Sequence, residues 1–285
     1  MAEKFIVKER SKLLDFLFNH LKGWSKKTIK QRLQGSNIAV NGEIITKHDF
    51  SLHLNDVVEV GVVKKASTPV QTLQKVEIIY QDKDIIAINK PAGLLSVGNT
   101  TENKHHALAI LRNQLSRGKK EVKLWPVHRL DRDTSGILLF ATSKEMREAV
   151  MDKWSDSEKI YLAIVEGCPK EQKGTIDQPL RTDEKVYRMH VGKHPDAKPA
   201  ITHYEVKQST SDRSLLEVRI ETGRQHQIRA HMAWLGHSII GDERYGTKGE
   251  IMGLHSQKLT IIHPLKQNPI TFEIDAPRDF YALLR

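Results

Sequence analysis

The sequence predicts an α+β chain in which a mixed, largely antiparallel sheet domain follows a small α/β domain. Three observations carry this. Near the N-terminus, apolar residues at helical spacing give way to short β-branched runs within residues 1–62. Residues 63–75 then lose all pattern around Pro69, in the small and polar manner of a linker. From Val76 onward, short apolar strands recur with only occasional helices and no regular β–α alternation.

In chain order, Leu13, Leu14, Leu17, Phe18 and Leu21 give the first helix one apolar face. Ser25 stands where an N-cap is needed for a second helix, Lys26 to Leu33, which Gly35 ends. That second segment is basic: Lys22, Lys26, Lys27, Lys30 and Arg32 occur with no acidic residue among them. Such a run is a solvated helix face or a phosphate contact, and the missing acids favour contact with a polyanion. Ile38 to Ile45, with Asn41-Gly42 at its centre, reads as a β-hairpin, and Asp56 to Val60 as another short strand.

Beyond the linker, strands are predicted at Val76–Tyr80, Ile85–Asn89, Ile137–Ala141, Ile160–Val165, Ile201–Lys207 and Leu215–Ile220. Helices are predicted near Ala107–Leu115, Lys144–Trp154 and Arg224–Leu235. Thr222 and Gln225 have capping-box spacing at the start of the last one, where backbone donors would suit a phosphate. Gln172 to Lys198 reads as a basic loop without a motif.

Composition sets the outer bounds. The 285 residues carry a formal charge of +10, which favours nucleic acid over membrane as a partner. Apolar runs of about five residues are far too short to span a bilayer. The start, Met-Ala-Glu-Lys-Phe, has no apolar signal region, so the cytoplasm is the expected location. The single cysteine, Cys168, excludes an internal disulfide and a cysteine-rich zinc site. His226 and His231 are five apart rather than four, and no H-E-x-x-H occurs, so no metal is expected. Residues 241–248 only imitate a phosphate loop, because Gly246-Thr247-Lys248 lacks the Gly-Lys-Ser/Thr order. No coiled-coil or exposed apolar stripe stands out, and a monomer is expected.

The most informative stretch is His128-Arg129-Leu130-Asp131-Arg132-Asp133-Thr134-Ser135-Gly136, followed by the apolar run Ile137 to Ala141. The run reads as a buried strand, with the polar loop holding Asp131 at its mouth. A cationic neighbour favours the charged form of such an aspartate, which in a cleft serves as nucleophile or base. Standing alone, Arg-x-Asp before a strand is more often a surface turn with an ion pair. A kinase catalytic loop is excluded by the intervening leucine, and because Gly136 stands where that loop needs Asn.

Three further segments occur in order. Asp84 to Leu94 is an apolar strand ending in Lys90-Pro91-Ala92-Gly93. Lys159 to Gly167 is a strand apolar on both faces that carries Tyr161. Thr222 to His231 contains Arg224, His226, Ile228 and Arg229. Together with H-R-L-D-x-x-T-S-G, these segments resemble the RluA-type pseudouridine synthases, which isomerise uridine within RNA. Ile240 to Gly246 (G-D-x-x-Y-G) and Leu254 to Leu259 resemble further family segments. The first fifty or so residues resemble an S4 RNA-binding module.

The resemblance implies a catalytic Asp131 paired with Arg229, a uracil-stacking Tyr161, and Ile228 in the wall of the uracil pocket. Lys90, His128, Arg129, Arg224 and His226 are then candidate substrate contacts, Arg129 supporting the loop or filling the space left by a flipped base. Lys22, Lys26, Lys27, Lys30 and Arg32 are candidate RNA contacts. Ribosomal RNA is the preferred substrate and transfer RNA the alternative, and the implied reaction requires neither cofactor nor metal. A competing expectation is an RNA-binding assembly factor without catalysis, which gives no reason for Asp131, Tyr161 and Arg229 to occur together. Glycoside hydrolysis would need two carboxylates flanking the sugar; Asp133 could be proposed as the second, but it reads as an exposed turn residue.

Overall fold

A computed structural model describes residues 3–34, 37–61, 75–98, 105–116, 122–183 and 188–285. It divides into two compact units, Met1–Thr72 and Leu73–Arg285. Gly35 and residues 63–74 of the expected linker lie outside the described residues.

The small unit contains β1 (Glu3–Ile6), β2 (Ser11–Lys12), α1 (Leu13–His20), α2 (Lys26–Gln34), β3 (Ile38–Val40), β4 (Glu43–Ile44), β5 (Ser51–Leu52) and β6 (Val57–Val60). The antiparallel order β1-β6-β3-β4 forms one sheet, and β2 pairs with β5. Ser25 caps α2 as expected, its Oγ accepting from the Thr28 N–H at 3.1 Å. Asn41 and Gly42 both take positive φ, +52° and +85°, which the two-residue hairpin turn demands. Leu13, Phe16 and Leu17 of α1 pack with Ile29 and Leu33 of α2 over the inner face of the sheet. Each such side chain contributes roughly 1.5–3 kcal/mol on burial.

The larger unit runs β7 (Glu77–Gln81), β8 (Ile85–Lys90), α3 (Ala107–Leu115), β9 (Trp125–Pro126), β10 (Ser135–Ala141), α4 (Lys144–Asp152), β11 (Glu158–Glu166), β12 (Lys173–Asp177), β13 (Leu180–Asp183), β14 (Arg188–Val191), β15 (Ile201–Ser209), β16 (Arg213–Ile220), α5 (Gln227–Trp234), β17 (Leu254–Ile262), β18 (Pro269–Glu273) and α6 (Arg278–Ala282). A ten-stranded sheet has the order β12-β15-β16-β11-β17-β10-β8-β7, with β18 on β17 and β9 on β10. It is antiparallel except where β10 meets β17, pairing Gly136 with Ser256. The expected α+β class with a largely antiparallel sheet is therefore the architecture observed.

Alternation along the strands explains why both faces are covered. Ile86, Ile88, Leu138 and Phe140 pack with α3, whereas Ile85, Ala87, Ile137 and Leu139 pack with Val150 of α4. Along β11, Ala163 and Val165 face Ile228 and Met232 of α5, while Leu162 and Ile164 face Phe280 of α6. One face thus carries α3 and α5, the other α4 and α6.

Three expectations need correcting. The segment 172–198 is not a loop, since it holds β12, β13 and β14, the last two forming a hairpin. The helix expected from Arg224 begins at Gln227, because His226 takes a left-handed conformation (φ +50°, ψ +20°). The helix from Lys144 stops at Asp152, and Trp154–Asp156 form a separate 3-10 turn.

Candidate active site

A cleft of about 1620 Å³ opens in the larger unit, and Asp131, Tyr161, His226 and Arg229 all line it. The loop bearing Asp131 is pinned from both sides. Ser96 Oγ donates to Leu130 O at 2.7 Å and accepts from the Leu130 N–H at 3.0 Å. The Lys90 ammonium donates to the carbonyls of Leu94 (2.7 Å), Arg132 (2.9 Å) and Pro91 (3.0 Å). After the loop, Gly136 has φ +114°, and a Cβ there would sit 2.3 Å from the Ser256 carbonyl oxygen. Only glycine allows β10 to approach β17 so closely, and that approach sets the loop at the strand's mouth.

Asp131 meets Arg229 as expected, the Nη1 donating to Oδ2 at 2.8 Å. The far side of the guanidinium is held by Asp242, with Nε to Oδ2 at 2.7 Å and Nη2 to Oδ1 at 2.8 Å. Asp242 is itself fixed by the N–H groups of Arg244 (3.0 Å) and Tyr245 (3.3 Å). Burial works against its charge, but the Arg229 hydrogen bonds and charge and these N–H groups hold its carboxyl below the usual range. Burial also opposes the charge on Arg229, and the two aspartates outweigh it, so the guanidinium stays cationic. The planar fork is thereby aimed before any substrate arrives.

Tyr161 lies opposite Ser256 in the β11–β17 ladder. Burial, against the influence of the Ser256 side chain and with the nearby Asp131 charge, pushes its phenol up to about 12. It therefore stays protonated at neutral pH. His226, at the left-handed residue before α5, places Nε2 3.8 Å from Asp131 Oδ2. Among the described residues, no hydrogen bond reaches Asp131 Oδ1. A carboxylate with one oxygen gripped and the other open can attack carbon or accept a proton.

The remaining candidates divide. Arg129 is exposed in the cleft, and Arg224 is exposed there too, its Nε donating to Pro199 O at 3.0 Å. Ile228 is buried against Met232 and also lines the cleft, so its packing and pocket roles coincide. Lys90 lies inside the fold rather than at a strand rim: it is wholly buried, its three protons are taken by carbonyls of the loop, and it is absent from the cleft lining. Burial pulls its pKa down to about 7, against the charges of Asp133 and Asp131. His128 is tied into the fold as well. Its Nε2 accepts from the Leu139 N–H at 3.2 Å and its ring stacks on Trp154, although one edge lines the cleft.

The expected capping box does not form at α5. Gln227 takes its place, Oε1 accepting from Thr222 Oγ1 (2.7 Å) and the Arg224 N–H (3.0 Å). Asp242, Tyr245 and Ser96 were not singled out by sequence reasoning. The G-D-x-x-Y-G segment was the signal for the first two. In the small unit, Lys22, Lys26, Lys27 and Lys30 are exposed, and Arg32 stacks on Trp24 at 4.3 Å.

Asp82, Asp84 and His263 bring three possible metal ligands together. His263 Nδ1, however, accepts from the N–H groups of Leu265 and Lys266, which puts the ring proton on Nε2, directed at Asp82. That tautomer leaves no lone pair for a cation.

Comparison with known proteins adds to this geometry. The family described as RNA pseudouridylate synthase matches residues 84–234. The chain is 30% identical to the uncharacterized RNA pseudouridine synthase YlyB of Bacillus subtilis, over 97% of this chain and 94% of that one. It is 32% identical to the ribosomal large subunit pseudouridine synthase D of Zymomonas mobilis, covering 73% of this chain and 72% of the relative. It is 33% identical to the tRNA pseudouridine synthase C of Vibrio cholerae, over 73% of this chain and 94% of the relative. Among solved structures, the human RNA pseudouridylate synthase domain containing 4 superposes with a TM-score of 0.60 at 28% identity, covering 73% of this chain and 91% of that one.

Proposed function

The chain belongs to the RNA pseudouridylate synthase family, an isomerase family that converts uridine to pseudouridine in RNA, and from that premise we propose that it modifies specific uridines of ribosomal RNA with Asp131 as the reacting group. The reaction breaks the N1–C1′ bond, turns the uracil, and joins C5 to C1′. The hydrogen leaves C5 and N1 gains one, so atoms balance with no oxidant and no phosphoryl group.

The observation that carries the reading is the Arg229–Asp131 contact at 2.8 Å inside a cleft that Tyr161 also lines. With Oδ2 held, Oδ1 acts on the ribose, by adding at C1′ or by taking the C2′ proton. Tyr161 stacks on the uracil, a contact worth roughly 1–3 kcal/mol per base. Ile228 closes the pocket wall, which keeps the detached base from escaping during its turn. The target uridine has to leave its helix or lie in a loop to reach the cleft, and Arg129 then fills the space it vacates.

The small unit serves as an S4-like RNA-binding domain, with Lys22, Lys26, Lys27, Lys30 and Arg32 on phosphates and residues 63–75 as the tether. It raises the effective concentration of RNA at the cleft. The exposed lysines without acidic partners among the described residues support this, as does the net charge of +10. The chain acts as a cytoplasmic monomer without cofactor or metal.

The test is a map of pseudouridines in ribosomal and transfer RNA from cells lacking the chain. Cells supplied with the native chain regain a ribosomal RNA site, and cells supplied with Asp131→Asn do not. A site regained only in transfer RNA would move the substrate assignment.

A further inference from the structure

His226 stands beside Asp131 without a hydrogen bond to it, and its surroundings fix where its proton lies. The chain of contacts begins at a group whose direction is not in doubt. The Met189 N–H, on the β14 hairpin strand, donates to the Tyr245 hydroxyl at 2.7 Å. Since that oxygen accepts, its own proton is directed elsewhere. Among the described residues its other partner is His226 Nδ1, at 3.1 Å. Burial raises the Tyr245 phenol, so it stays protonated and able to donate. Nδ1 is therefore the acceptor, and the proton of the neutral ring sits on Nε2. That Nε2 faces Asp131 Oδ2 across 3.8 Å, about 1 Å beyond a hydrogen bond. Such contacts tighten when a substrate fills the site.

We infer that His226, locked by Tyr245 as the neutral Nε2–H tautomer, is a positioning residue that joins Arg229 in gripping Asp131 Oδ2 and so presents Oδ1 to the ribose. The inference rests on the isomerase reading of the cleft and deepens it. Two donors on one oxygen fix the carboxylate's rotation, whereas Arg229 alone leaves it free to turn about its Cβ–Cγ bond. The ring's own left-handed backbone holds it at the mouth of α5. The groups facing it are Asp131 and Asp242, which favour a charged ring, and Arg229 and Arg244, which oppose one. Burial, the largest influence, also holds its pKa below the usual value. Tyr245 links this grip to the β13–β14 hairpin, and Arg188 of that hairpin lies over the Tyr245 ring at 5.0 Å.

The experiment uses the full chain and has an arm that needs no activity. Nitrogen-detected NMR of the histidine rings, with the His226 signal assigned by its loss in His226→Gln, reads the tautomer directly. The native chain is expected to show neutral Nε2–H at pH 7. In Tyr245→Phe, which keeps the ring and removes the donor to Nδ1, the ring should titrate at a higher pH. A ring that carries its proton on Nδ1, or is charged at pH 7, overturns the inference whatever the enzyme's substrate proves to be. The second arm is tritium release from uridine-labelled RNA. His226→Leu should lose at least about tenfold in kcat with KM nearly unchanged, and His226→Gln, whose amide nitrogen reaches the Nε2 position, should recover most of it. Equal loss in both variants, or a rise in KM alone, would overturn the positioning role and leave His226 as an RNA contact. No release by the native chain would instead count against the isomerase reading, while the NMR arm still judges the tautomer.

Discussion

Removing Asp242 is the sharpest perturbation of the site that leaves Asp131 in place. Its carboxylate holds two of the guanidinium nitrogens of Arg229 and also receives two backbone N–H groups. Asp242 is 1% exposed and Arg229 9%. Deleting one partner of a buried ion pair costs about 3–5 kcal/mol, chiefly from the charge left behind. Asp131 remains as a second anionic partner of the guanidinium, through Nη1, so Asp242→Ala should cost near the lower end, about 3 kcal/mol. Asp242→Asn keeps an acceptor while losing the charge and should cost about 2 kcal/mol. Denaturant unfolding of the larger unit reads the loss as a shift of midpoint at constant slope. A double-mutant cycle with Arg229→Met assigns it: if Asp242 acts through Arg229, the two should couple by about 2 kcal/mol. Costs that add to within about 0.5 kcal/mol would mean that Asp242 stabilises the loop and not the arginine.

Other consequences follow from single contacts. Gly136→Ala forces a Cβ against the Ser256 backbone at a positive φ. Strain and overpacking together should cost about 2–5 kcal/mol by denaturant midpoint, and a change under about 1 kcal/mol would mean β10 and β17 separate easily. His255 is wholly buried, and burial, against the Ile274 backbone and Asp275, pushes it down to about 4. Below the unfolded pKa of about 6.5 the unfolded chain binds a proton that the folded chain refuses, so this histidine's contribution falls from pH 6.5 towards pH 4, by roughly 3 kcal/mol in all. Urea midpoints at pH 7 and pH 5 should therefore diverge less in His255→Gln, and equal slopes in both proteins would contradict the assignment. Neutralising Lys26, Lys27 and Lys30 should flatten the salt dependence of RNA binding by up to about 0.7 log units per lost contact on single-stranded RNA. An unchanged slope would place these lysines in solvent.

How much was legible in the sequence tracks how local each determinant is. Helix α3 spans Ala107–Leu115 as read, and the Asn41-Gly42 turn forms where expected, because spacing and turn chemistry act over a few residues. The β13–β14 hairpin escaped notice because its half-exposed strands offer no sustained apolar run. Arg181, Arg188 and His190 alternate there with the buried Leu180 and Met189. Helix α5 starts later than expected because His226 takes a left-handed conformation, while the Gln227 side chain is drawn to Ile201 and Thr202 across the fold, contacts that no local capping rule anticipates. At the site, the resemblance carried by the motifs pointed to Asp131, Tyr161 and Arg229. It could not show that Asp242 backs Arg229, since that contact exists only once the chain after α5 folds back. Lys90 misled for a related reason: a lysine at a strand end reads as exposed, and only the loop carbonyls that surround it make burial tolerable.

Asp131 is the group proposed to perform the isomerisation at the ribose. RNA labelled with tritium at C5 of uridine tests it most directly, because joining C5 to C1′ must expel that hydrogen. Native chain mixed with labelled ribosomal RNA is predicted to release tritium, while Asp131→Asn, folded and still binding RNA, releases none. Release at an undiminished rate by Asp131→Asn would contradict the account and send the search for the reacting group elsewhere in the cleft.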